Sequence, residues 1–210
     1  MDQPARRDFV RTLGVCLVAM QLPRPLTALA AARGQEPVTL NPAEWRCVEA
    51  ICAEIIPTDR DPGAAEAGCA NFIDKALAAE DARALPLYRE ALAAIDALCV
   101  DAHGHAFADL DGAWRQRVLT AMEQGTLTGW TAQMARAQDF FATIRFHALL
   151  GFIADPKYGG NRDYAGWKLM GFPGPLHMVG GVTPEQMIGR QPVMPVWATT
   201  ANDGHGGGHR

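Results

Sequence analysis

Residues 131–154 limit the architecture more than any other stretch of the chain. Met134, Phe141, Ile144, Leu149 and Phe152 recur there at helical spacing as part of a broad apolar face. A helix that is apolar over so much of its girth is stable only when packed against other helices. The segment therefore predicts the central buried helix of a bundle. The expected fold is all-α: a single helical bundle domain of about five helices, followed by a long irregular C-terminal loop and arm. His147 lies inside this segment, and a lone histidine there reads as a satisfied core residue rather than a ligand.

The other helices announce themselves by their ends. Asn41-Pro42-Ala43-Glu44 is a helix start: Asn41 caps, Pro42 suits the first turn and Glu44 completes a capping box. Trp45, Val48, Ile51, Cys52, Ile55 and Ile56 then share one face until Pro57 stops the helix. The loop 58–63 is rich in turn formers, and Asp59 and Asp61 read as a turn pair rather than a cation site. A second helix is expected over 64–80, carrying Phe72, Ile73, Ala76 and Leu77. A third is expected over 85–103, with Leu85, Tyr88, Leu92, Ile95, Leu98 and Cys99 inside. Gly104 closes it, so His103 and His105 read as a helix end rather than a metal pair. A fourth, capped by Asp109 or Asp111, carries Trp114, Val118, Leu119 and Met122 and ends at Gly125. No strand-rich block and no internal repeat interrupts the pattern, and no apolar run reaches the ~18 residues of a membrane span.

Residues 1–30 are expected to be a targeting segment rather than part of the fold. Arg6 and Arg7, followed by Asp8 and Phe9, form a twin-arginine pattern ahead of an apolar stretch over 13–22 and a small-residue run at 28–32. That order is the layout of a cleaved export signal read by the twin-arginine translocase, which places the mature chain in the periplasm. Cleavage after residue 30 removes Arg6, Arg7, Arg11 and Arg24 with Asp2 and Asp8, shifting the formal charge from −4 to −6. An acidic chain of this kind gives no reason to expect a nucleic-acid partner. Four cysteines remain, Cys47, Cys52, Cys69 and Cys99, and in an oxidising compartment an even count allows up to two disulfides. Cys47 and Cys52 stand about 140° apart on their helix, so a bond between them is the least favoured of the pairings. Buried free thiols are the alternative.

The chemistry of catalysis is thinly represented. The sequence contains no serine, no phosphate-binding glycine loop, no dinucleotide fingerprint and no haem-attachment motif. What stands out instead is the stretch 155–173. Its apolar residues keep neither helical nor strand spacing, and Gly159, Gly160, Gly166 and Gly171 would interrupt either element. It holds Tyr158, Asn161, Arg162, Tyr164, Trp167 and Phe172, and reads as an ordered loop whose aromatics pack on this chain's own core or on another chain. Beyond it, residues 176–210 read as an extended arm and a Gly/His-rich tail with His205 and His209, leaving 38–175 as the helical domain.

Three patterns in this order carry a resemblance. They are the twin-arginine leader; Ile55-Ile56-Pro57-Thr58-Asp59 with Pro62-Gly63-Ala64-Ala65-Glu66-Ala67-Gly68 and Phe72-Ile73-Asp74; and Tyr158-Gly159-Gly160-Asn161 with Gly166-Trp167-Lys168 and Gly171-Phe172-Pro173-Gly174. Together they resemble the gluconate 2-dehydrogenase subunit 3 family. These are small subunits of periplasmic FAD-dependent sugar and polyol dehydrogenases of the glucose–methanol–choline type. The resemblance implies a non-catalytic subunit with no cofactor of its own. A large subunit would hold FAD, and a cytochrome c subunit, where present, would carry haem c. The small subunit would supply the export signal and support folding of its partner. The expected interface residues are Tyr158, Asn161, Arg162, Tyr164, Trp167 and Phe172, with Arg6, Arg7 and Phe9 serving export. A stand-alone exported enzyme or redox protein, or an export chaperone released after transport, are the competing readings.

Overall fold

The computed structural model describes residues 37–175 and 181–199. Every regular element among them is helical: α1 Pro42–Ile55, α2 Ala64–Ala67, α3 Cys69–Ala78, α4 Leu85–His103, α5 Gly112–Gln124, α6 Ala137–Ile153, α7 Ala165–Met170, α8 Pro184–Met187 and α9 Val196–Thr199. Five of these have ten or more residues, as expected of the bundle. The expected export signal, with Arg6, Arg7 and Phe9, lies outside the described residues, as do 176–180 and the tail from residue 200.

Local chemistry places the ends of these helices. Asn41 accepts from the amides of Ala43 and Glu44, and Glu44 returns a carboxylate to the Asn41 amide, closing the capping box on α1. Just ahead of it, Asp74 on α3 accepts three successive amides, those of Val38, Thr39 and Leu40, at 2.6–3.0 Å. Asp74 is fully buried, and those three donors replace the water it gives up. Asp59 accepts the Asp61 amide within its turn. Asp111 caps α5 through the Trp114 amide, and Gly104 and Gly125 end α4 and α5 in the left-handed conformation.

Three expectations need correction. The second helix is two, because Gly68 at φ 74° turns the chain between α2 and α3. The central helix starts at Ala137 rather than 131. Glu90 takes the amides of Gln133 and Met134, and the Trp130 indole bonds the Ala135 carbonyl, so the preceding residues form a tied loop. Met134 is consequently exposed. The cysteines are free thiols, not disulfides: each sits on a helix face packed into the apolar core. Burial raises all four, Cys47 and Cys52 well above the usual thiol range, Cys69 to about 12 and Cys99 to about 11.

α6 is central as expected, packing on each of α1 to α5 and on α7. Phe140, Ile144, Ala148 and Phe152 bury on its inner side. His147 is buried there too and is satisfied: Tyr88 Oη lies 2.7 Å from its Nδ1, and Asp81 Oδ2 lies 3.7 Å from Nε2. Burial raises the Tyr88 phenol well above its ordinary value, so the hydroxyl stays protonated; with Asp81 facing Nε2, the arrangement that satisfies both partners has that hydroxyl donating to Nδ1. The neutral imidazole then carries its own proton on Nε2, toward Asp81.

Candidate functional site

The C-terminal end of α6 leaves carbonyls that no further helical turn can satisfy, and the loop 155–173 is built around them. The Asn161 amide donates to Gly151 O at 2.7 Å, its Nδ2 to Ala154 O at 2.8 Å, and its Oδ1 accepts the Gly166 amide at 2.9 Å. Trp167 Nε1 donates to Ile153 O at 2.6 Å. From the other side, Asn71 on α3 donates through Nδ2 to Gly159 O.

Such close backbone approach needs glycine. A Cβ on Gly160 would lie 2.1 Å from Gly151 O, and one on Gly166 would lie 1.9 Å from Phe152 O. The chain also turns hard here. Asn161, Asp163 and Tyr164 all hold positive φ, at 44°, 53° and 58°. That conformation is uncommon outside glycine and costs about 1–2 kcal/mol per residue. The bonds to α6 hold it in place, and the result is that Tyr164 is delivered onto Trp167 with ring centroids 5.5 Å apart.

The six expected interface residues therefore divide. Asn161, at 0% exposure, and Trp167, at 5%, are interior: they fasten the loop to α6. Arg162 and Tyr164 are half-buried. Tyr158 and Phe172, at 49% and 45% exposure, present their rings outward. Lys157 Nζ lies over the Tyr158 ring, and Phe172 meets Trp167 edge to face at 5.2 Å. Part of the aromatic cover comes from the arm. Val196 donates its amide to Pro173 O and is buried, and the Trp197 ring lies 6.0 Å from that of Tyr164.

Beside the loop, a groove runs between α3 and the end of α6. Phe72, Ala76, Leu150 and Ala154 line it with Tyr158, and Lys75 and Lys157 stand at its sides. The outer side of α6 adds Phe146, Leu149 and Ile153, all at least 40% exposed. Leu149 was expected inside the bundle, and Phe146 and Ile153 carried no expectation. Their signal was present in the sequence: residues 142, 146, 149 and 153 form a second apolar stripe beside the inward one. Nothing in a single sequence says which of two apolar stripes a helix buries in its own domain.

Among the described residues no cluster of three or more His, Cys, Asp or Glu side chains could hold a metal ion, and none of the helices is long and apolar enough to cross a membrane. The site offers hydrogen-bonded backbone, aromatic rings and apolar faces, which is the material of an association surface. No curated protein and no solved structure matches the chain. A family model does match, over residues 42–174, from the first residue of α1 to the glycine that closes the aromatic loop, and the chain belongs to the gluconate 2-dehydrogenase subunit 3 family.

Proposed function

We propose that this chain is the non-catalytic small subunit of an exported FAD-dependent dehydrogenase acting on a sugar, polyol or sugar acid. In this reading it supports folding of the FAD-bearing subunit and carries it through the twin-arginine translocase into the periplasm. Membership of a dehydrogenase subunit family is the observation that carries the reading. Two features support it. The twin arginines at Arg6 and Arg7 open the chain, and that pathway moves folded proteins, so a partner lacking a signal can travel bound. Tyr158 and Phe172 are held outward on a loop that is pinned to α6, which limits the ordering cost of binding. FAD resides in the large subunit of such an assembly, and haem c in a third subunit where one exists.

The test replaces Arg6 and Arg7 by lysine and follows the flavoprotein through cell fractionation. The expected result is loss of the flavoprotein from the periplasm, with FAD-containing protein held in the cytoplasm. Normal periplasmic delivery would overturn the co-export role.

A further inference from the structure

Val38, Thr39 and Leu40 lead the chain into α1, downstream of the expected export leader. The proposed function gives no role to Asp74, the carboxylate that ends the Phe72-Ile73-Asp74 pattern. Val38 is 67% exposed, and a non-helical segment so exposed is ordinarily a place where proteases cut. Here the backbone is not free to be taken up. Asp74 Oδ2 accepts the Val38 amide at 2.6 Å, and Oδ1 accepts those of Thr39 and Leu40 at 3.0 and 2.7 Å.

A second element holds the same three residues. Arg89 on α4 donates through Nη2 to the Thr39 carbonyl at 3.2 Å, and its Nε lies 3.5 Å from Glu44 Oε1. Glu44 is the residue that closes the α1 capping box. Leu40 is buried beneath this strap. Three successive amides and one carbonyl are thus engaged by side chains from α3 and α4. An enzyme that binds an extended segment pairs with those same backbone groups. It can cut only after the strap has opened, so its rate follows the population of the open form.

We propose that the Asp74 clasp is the stop for N-terminal processing of this chain. The peptide bonds from Val38 to Asn41 are closed to proteases in the folded protein. Removal of the leader, and any trimming after it, therefore leaves Val38 in place. Each cut is a hydrolysis: water adds across one peptide bond, leaving a carboxylate on the released piece and an amine on the new first residue. The leader in this inference rests on the export reading; the clasp itself does not.

The experiment has two arms. In the first, the purified full chain is treated with proteinase K under native conditions, and product ends are read by mass spectrometry. Wild-type products are expected to retain Val38. Asp74→Asn sets an amide NH2 group against the strap's own N–H donors. It should give products starting within residues 39–45 at least about tenfold faster. Arg89→Ala removes the Thr39 contact and leaves Asp74 in place, so its expected rise is about threefold. If Asp74→Asn lowers the helical circular dichroism, Arg89→Ala carries the test. In the second arm, the chain is recovered from the periplasm, where the wild type should retain Val38 and Asp74→Asn should show ends beyond it. Wild-type products that begin after Val38 overturn the inference, as do equal ends and rates in all three proteins. Absence of the chain from the periplasm, with the protease arm as expected, removes the export reading and leaves the clasp standing.

Discussion

Asn161 does three jobs with one side chain and one peptide group. It occupies a left-handed backbone position, its amide and Nδ2 donate to two carbonyls at the end of α6, and its Oδ1 receives the Gly166 amide. Asn161→Ala should destabilise the chain by about 2–4 kcal/mol, from unpaired buried groups and the left-handed backbone together. Asn161→Gly should recover about 1 kcal/mol of that, which is the backbone share. Urea unfolding of the three proteins separates the two terms. His147 makes a pH prediction. Burial holds its pKa below the ordinary histidine value, and Asp81 opposes this more weakly. The folded state therefore prefers the neutral ring. Its contribution is intact above about pH 6.5 and is lost as pH falls below that value, where the unfolded chain takes up a proton the folded chain resists. Asp96 and Glu54 act in the opposite sense, because burial raises their carboxyls and the folded state binds those protons first. His147→Gln keeps an acceptor for the Tyr88 hydroxyl. Between pH 7.5 and 5 it should lose less stability than the wild type, measured by urea midpoints; equal losses would mean that His147 titrates the same way folded and unfolded.

At the scale of elements, the junction of α6 with the loop decides the shape of the site. Gly166→Ala forces a methyl group into the Phe152 carbonyl, and neither backbone can yield without breaking the bonds made by Asn161 and Trp167. The expected cost is about 3 kcal/mol, with early proteolytic cleavage between residues 155 and 173. Gly171→Ala meets no neighbour and should cost only about 1 kcal/mol, for its positive φ. The same junction shows what could be read from sequence. Asn41 with Glu44, Asp111, Gly104 and Gly125 mark helix ends by chemistry confined to a few residues, and those ends were legible. The loop held by Glu90 depends on a partner more than forty positions away, and it was not legible; the split at Gly68 was missed although its left-handed cap is as local as those at Gly104 and Gly125. The aromatic loop was legible as an ordered loop. The division of its residues was not, because Trp167 is held inward by a bond to the Ile153 carbonyl, fourteen positions away.

For the whole molecule, the question is whether the arm belongs to the domain. The family match stops at residue 174, yet the chain returns beyond it: Val196 is buried and bonded to Pro173 O, and Trp197 lies against Tyr164. Between these points Met187, on α8, and Ile188, just after it, stand exposed; α8 is a turn held by its own capping box of Thr183 and Gln186. Among the described residues of the arm, the last part is thus the one tied to the aromatic cluster. A chain ending at Pro175 should keep its five long helices, since the arm's bond to Pro173 and its ring contact with Tyr164 both fall outside them, and its helical circular dichroism should persist. It should lose the burial of Val196, worth about 1.5–3 kcal/mol, and the Trp197–Tyr164 contact, worth about 0.5–1.5 kcal/mol. The sum is a destabilisation of about 2–4 kcal/mol. The Trp167 emission should move to the red as its cover is removed, read in a background where the other tryptophans are replaced by phenylalanine. Full stability in the shortened chain, with Trp167 emission unchanged, would mean that the arm does not seat on the loop in solution. A drop confined to the loop, with α6 intact, would show that the arm closes the aromatic cluster of a domain whose helices stand without it.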